Sequence, residues 1–194
     1  MAQPRVLIVC TANRCRSPLA AELLRRSLAD RGLEGTVDTA GLARPGFPAT
    51  DETVQIAARR GLDLTGHRSQ LLAPSAVEGA DLVLGMERRH VREVVLAVPG
   101  AWSYTFTIKE LVRRAETIGP RRAEESLPAW IARVHEGRQR RELQGASPLD
   151  DVADPTGGTL AEHEDTAREL EDLLGRLVAS AWPGAATGDP APDP

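Results

Sequence analysis

Lysine is nearly absent from this chain: Lys109 stands alone among 24 basic residues, and the other 23 are arginines. So lopsided a ratio reads as a compositional bias of the genome, not as a functional signal. Aromatic residues are scarce too, six in all or 3%, which leaves too few rings for a surface that stacks nucleic-acid bases. There are two cysteines, Cys10 and Cys15, and their closeness excludes a disulfide framework of the secreted kind. His67, His90, His135 and His163 are scattered, so ordinary zinc-ligand spacing is missing as well. No apolar run approaches the ~18 residues of a membrane span. Val6 to Val9, behind Arg5, is far too short for a signal peptide. A cytoplasmic protein with no membrane partner is expected. Positive charge is not in excess either: a net charge of −4 argues against a nucleic-acid partner.

What is present is the composition of an ordinary folded domain. The chain has 194 residues, 41% hydrophobic and 27% charged, enough to bury a core. One domain over residues 1–182 is expected, as a monomer or weak dimer. The Pro/Gly-rich stretch 183–194 is expected to be a disordered tail.

Val6 to Cys10 is a continuous apolar run, the mark of a strand buried on both faces. Pro18 sits where a first helical residue would, Leu19, Leu23, Leu24 and Leu28 share one helix face, and Gly32 ends it. Further strands are expected at Val37–Ala40, Asp81–Met86 and Tyr104–Thr107, with helices at 50–60, 87–96, 109–114 and, behind a Thr159/Glu162 capping box, along Leu170 to Ala181. Strands alternating with helices predict an α/β fold with a parallel sheet and helices on both faces. Residues 113–153 interrupt the alternation with dense charge of both signs. Leu127, Trp130, Ile131 and Val134 predict a short amphipathic helix there, either docked on the core or serving as a lid or partner-docking arm near the active site. Arg25-Arg26 and Arg59-Arg60 read as exposed helix faces, the tryptophans as packing residues, and His67 and His90 as local hydrogen-bonding groups.

The chemistry is concentrated in the first turn, CTANRCRSP. Cys10 closes the first strand, Thr11, Ala12, Asn13, Arg14 and Cys15 make the turn, and Arg16, Ser17 and Pro18 open the helix. Backbone amides of such a turn can cup an oxyanion, and a helix N-terminus adds a positive dipole. The planar fork of Arg16 can grip two phosphate oxygens. The same field favours the thiolate of Cys10, placed beneath a bound phosphorus atom, with Ser17 able to hydrogen-bond it. A phosphate or sulfate anion is therefore expected in the loop.

Other stretches complete a pattern: Thr39-Ala40-Gly41, His67-Arg68-Ser69 after Gly66, Ala80-Asp81-Leu82 through Met86, and Asp154-Pro155. Together with the first turn they resemble the low-molecular-weight protein tyrosine phosphatases. The resemblance implies a four-stranded parallel sheet flanked by helices, a flavodoxin-like three-layer fold. It implies Cys10 as nucleophile through a phosphocysteine, Arg16 as phosphate ligand, Asn13 and Ser17 as loop-shaping residues, and Asp154 as general acid and base. Asp150 and Asp151 compete with Asp154 on sequence alone. A proton donor is needed for a poor leaving group, and Pro155 restricts the backbone of Asp154 to extended geometry. Backbone donors and Arg16 supply the charge stabilisation, so neither metal nor cofactor is expected.

The pocket walls and position 14 depart from the pattern. Tyrosine-directed relatives wall the pocket with aromatics, but here Phe47 is the only candidate on one side, and Thr156 and Gly157 stand on the other. Arg14 replaces an aliphatic residue or Thr and puts an extra cation at the rim, suited to an acidic peptide or second phosphate. In family members with a cysteine at the place of Cys15 that residue can pair reversibly with the nucleophile, so the resemblance implies either a redox partner for Cys10 or a small packing residue. The expected activity is hydrolysis of phosphotyrosine-type phosphomonoesters on phosphorylated proteins or peptides. A protein arginine phosphatase, a small-thiol arsenate reductase and an inactive phosphate-binding module are the alternatives.

Overall fold

The computed structural model describes residues 3–183, so the expected disordered tail lies, beyond Pro183, outside the described residues. Four strands, β1 (Arg5–Cys10), β2 (Thr36–Gly41), β3 (Leu82–Gly85) and β4 (Thr105–Thr107), run parallel in the order β2-β1-β3-β4. β1 occupies the middle because its side chains satisfy two cores at once. Val6, Ile8 and Cys10 point to one face, and Leu7 and Val9 point to the other. The first face is covered by α1 (Arg16–Ala29), α2 (Asp51–Ala58), α5 (Ile108–Ile118), α6 (Leu127–His135) and α7 (Leu160–Ala181). The second carries α3 (Pro74–Glu78) and α4 (Arg88–Ala97), through Val77 and Val94. This is the expected three-layer α/β arrangement. The chain leaves β1 for β2 on one side, and β3 lies on the other. The turn after Cys10 therefore sits at the carboxyl end of the strands where the crossovers diverge, the place where parallel sheets open a crevice.

Several boundaries differ from expectation for local reasons. α1 begins at Arg16, so Pro18 is its third residue, which costs nothing because first-turn amides have no helical acceptor. α5 continues to Ile118 and stops at Gly119, whose φ is +95°. α3 was not expected; at five residues it is too short to show a period.

The charged stretch 113–153 begins inside α5 and contains the anticipated amphipathic helix as α6. Ser126 accepts from Ala129 N at its start, and Trp130, Ile131 and Val134 are buried in the main core. α6 is thus docked on the core. Just beyond α6, Arg138 is buried with its guanidinium 4.0 Å from the Trp102 ring centroid and 3.9 Å from that of Phe106. It donates to both carboxylate oxygens of Glu110, at 2.6 and 2.8 Å. Trp130 and Trp182 pack in the core as expected. Arg59 is exposed as expected, but Arg26 and Arg60 are not free exposed groups. The Arg60 side chain is 10% exposed and pairs with Glu164 and Glu171 of α7, while Arg26 donates to the Arg60 carbonyl and to Glu171. These arginines fasten α1 and α2 to α7.

Candidate active site

Cys10 ends β1 and is buried. The turn curls back over its sulfur, and Asn13 makes the reversal possible. Its φ is +53°, the one positive value outside glycine among the described residues, in a region asparagine tolerates better than most side chains. Asn13 N donates to Cys10 Sγ at 3.2 Å. Ser17 Oγ lies 3.0 Å from the same sulfur and accepts from Asn13 Nδ2 at 2.8 Å, which leaves the serine proton for the sulfur.

The surrounding strands and loops hold the turn from outside. Asn13 Oδ1 accepts from Gln70 N at 2.8 Å, and His67 Nε2 lies 2.7 Å from the Asn13 carbonyl. Leu42 N and Ala43 N donate to the Thr11 carbonyl, and Thr50 N to the Arg14 carbonyl. With these carbonyls engaged outward, no protein acceptor meets the amides of Ala12, Arg14 or Cys15 among the described residues. Gly41 explains the Thr-Ala-Gly motif. A Cβ there would stand 2.9 Å from Asn13 N and 3.0 Å from the Ala12 carbonyl carbon.

Arg16 has a side chain only 1% exposed. Nη1 donates to Glu87 Oε1 at 2.6 Å and to the Val152 carbonyl at 2.9 Å. Nη2 donates to Asp154 Oδ2 and lies 3.5 Å from Thr11 Oγ1. The guanidinium is therefore fixed between the turn and the loop before α7. Asp154 Oδ1 accepts from Thr156 Oγ1 at 2.8 Å and Thr156 N at 3.2 Å, so Oδ2 is the oxygen turned to Arg16. The rival carboxylates are engaged elsewhere. Asp150 pairs with Arg88 and Arg113, and Asp151 accepts from the backbone of Arg88 and Ser147.

The positions that departed from the expected pattern fall into place differently. Arg14 lies 5.5 Å from the Phe47 ring centroid, and its Nε donates to the Pro48 carbonyl at 2.8 Å. Phe47 is 42% exposed beneath it. Thr156 does not stand in for a missing aromatic wall; its hydroxyl serves Asp154. That hydroxyl also lies 3.7 Å from Cys15 Sγ. Cys10 and Cys15 are both free thiols, and Cys15 is buried against Thr50.

Three residues beside the turn were not singled out for the site from sequence. Glu87 accepts from both Arg16 and Arg89; burial pushes its carboxyl up, but donation from Arg89 and Arg16 outweighs this and holds it below the usual range. His90 is fully buried, and burial pushes it down to about 4, with Arg16 and Arg89 opposing its charge and Glu87 favouring it. Glu87 N donates to His90 Nδ1 at 3.0 Å, so the neutral ring carries its hydrogen on Nε2, 3.1 Å from Thr11 Oγ1. Arg89 Nη2 donates to the same hydroxyl at 2.5 Å. His90 is a local hydrogen-bonding group, as the sequence suggested, but what it holds is the turn. These residues follow β3 as the turn follows β1. Their place at the carboxyl end of a central parallel strand was the signal that could have flagged them.

Residues 5–118 match the family model described as low molecular weight phosphotyrosine protein phosphatase. A probable low molecular weight protein-tyrosine-phosphatase of Ralstonia nicotianae is 38% identical over 107 residues, 55% of this chain and 71% of that one. The protein-arginine-phosphatase of Bacillus subtilis is 31% identical over 176 residues, 89% of this chain and 93% of its own. The crystal structure of a low molecular weight protein tyrosine phosphatase from T. tengcongensis superposes with a TM-score of 0.69 at 32% identity, covering 91% of this chain and 98% of that one. With a cysteine, an arginine and a carboxylate meeting at the carboxyl end of such a sheet, these matches place the chain in the low molecular weight protein tyrosine phosphatase family, a family of cysteine-dependent phosphatases.

Proposed function

We propose that the chain hydrolyses phosphotyrosine-type phosphomonoesters on proteins through a phosphocysteine on Cys10. The observation that carries this reading is the sulfur of Cys10, which takes the Asn13 amide and faces the Ser17 hydroxyl below a turn whose Ala12, Arg14 and Cys15 amides meet no protein acceptor among the described residues. Phosphate oxygens held by those amides and by Arg16 put phosphorus in line with the sulfur. The sulfur attacks phosphorus as the bond to the leaving oxygen breaks, and Asp154 gives that oxygen its proton. Once a dianion takes the donors of Arg16, like charge favours the protonated carboxyl for this role. Water then attacks phosphorus, its proton passes to Asp154, and the S–P bond breaks with Ser17 donating to the departing thiolate.

The substrate side chain is read from the rim. Phe47 supplies one aromatic wall, and Arg14 above it disfavours a second guanidinium, which supports tyrosine over arginine as the carrier. The arginine reading keeps one observation in its favour. The relative named protein-arginine-phosphatase matches along most of both chains.

The test is hydrolysis of p-nitrophenyl phosphate with reductant present, followed by a panel of phosphotyrosine, phosphoarginine and phosphoserine peptides. Cys10→Ser should abolish turnover while retaining phosphate binding. Asp154→Ala should slow poor leaving groups by about 10²- to 10⁴-fold and p-nitrophenyl phosphate less. Turnover surviving in Cys10→Ser would refute the reading. A panel led by phosphoarginine would move the substrate to the second one.

A further inference from the structure

Beyond the cradle itself, one lip of the site collects positive charge in a protein whose net charge is −4. Two segments form that lip, residues 42–50 after β2 and 64–73 before α3. They are laced together: Gly46 N donates to the Ser69 carbonyl, Ser69 N to the Phe47 carbonyl, and Phe47 N to Ser69 Oγ. Asp63 and Asp51 flank them, but neither segment contains a carboxylate. They contribute Arg44 and Arg68, both exposed, and Arg14 reaches over from the turn to lie on Phe47.

The placement relative to the cradle follows from the hydrogen bonds. Ala43, the neighbour of Arg44, donates its amide to the Thr11 carbonyl. His67 and Gln70, on either side of Arg68, are both bonded to Asn13. Each arginine thus stands within two residues of an atom tied to the phosphate turn. None of Arg14, Arg44 and Arg68 pairs with an acidic side chain among the described residues. Arg14 and Arg68 spend donors on backbone carbonyls, of Pro48, Thr65 and His67. The opposite lip is different. Arg88 pairs with Asp150, and Arg89 with Glu87.

We propose that this lip is a docking surface for the polypeptide around the phosphorylated residue, and that the segment it selects is acidic. The inference rests on the phosphatase reading above and refines its substrate class. Unpaired guanidiniums beside an exposed ring attract carboxylates, raise the encounter rate and fix which side of the peptide lies over Phe47. Carboxylates two or three residues from the phosphorylated side chain span the short distance from the cradle to this lip.

The experiment uses two peptides that carry whichever phosphoresidue the substrate panel selects and differ only in flanks of Asp and Glu against Asn and Gln. Initial rates on the full chain should favour the acidic peptide by about tenfold in kcat/KM at low ionic strength. Most of that preference should vanish by about 0.3 M salt, as expected for exposed charges. In Arg44→Glu/Arg68→Glu the ratio of the two peptides should fall to one or reverse. Equal rates on the two peptides, or a preference that survives the charge reversal, overturns the lip. Turnover of p-nitrophenyl phosphate by the parent chain separates the two failures. If that reaction proceeds and the peptides are not distinguished, the phosphatase stands without the lip. If it does not proceed, both fall.

Discussion

Gly41 carries the sharpest consequence at the scale of a single residue. The site is a turn pressed directly against the end of a neighbouring strand, and the contact is backbone to backbone. A methyl group at 41 would stand 2.9 Å from both Asn13 Cβ and Asn13 N. Asn13 cannot yield easily. Its side chain bridges Ser17 and Gln70, its carbonyl meets His67, and its φ already sits in the left-handed region. Gly41→Ala should therefore displace the amide that lies 3.2 Å from the Cys10 sulfur. A misplacement of about 1 Å at a reacting centre costs about 10²-fold in rate, whereas overpacking of this kind costs about 1–3 kcal/mol of stability. We expect kcat/KM on p-nitrophenyl phosphate to fall far more than the urea midpoint does, with the fold retained. Wild-type kinetics in Gly41→Ala would show that the turn is not held as described. The Thr-Ala-Gly stretch was visible in the sequence as part of a family pattern. The reason for its glycine was not, because the clash is with a residue 28 positions earlier.

At the scale of elements, legibility followed the range of the signal. The strands and the long helices announce themselves through side chains a few positions apart, and β1 was readable from its run of apolar residues alone. α6 was equally readable, since Trp130, Ile131 and Val134 lie on one face. What fastens the following segment was not readable. Arg138 looks like one more charge in a charged stretch, yet its partners Glu110, Trp102 and Phe106 lie 28 or more residues away. Its burial gives a definite prediction. Arg138→Leu leaves the Glu110 carboxylate buried without its partner, a change worth about 3–5 kcal/mol. Glu110→Leu/Arg138→Leu removes both charges and should be the more stable of the two variants. Urea unfolding measures both. If the double variant is no more stable than Arg138→Leu, the pair matters through packing against the rings and not through charge.

For the whole molecule, the same group that shapes the turn also sets its response to acid. The fold requires His90 neutral: the ring is buried, accepts from Glu87 N on Nδ1 and faces Thr11 through Nε2. Burial lowers it from an ordinary 6.5 to about 4. The unfolded chain therefore takes up a proton on this ring between pH 6.5 and about 4 that the folded chain refuses. Stability from this source is complete above 6.5, declines as pH falls through that window and changes no further below it. At pH 5 the loss from His90 alone is roughly 2 kcal/mol. His135, also lowered by burial, adds a contribution of the same sign. Glu87, held below its usual range, adds a loss that sets in only as pH falls below about 4.5. His90→Asn should be less stable than the parent at pH 7, because the ring's contacts are gone. Its urea midpoint should nevertheless fall less between pH 7 and pH 5 than the parent's does. Parallel declines in the two proteins would mean that the buried ring does not govern acid sensitivity, and that burial is not what keeps it neutral.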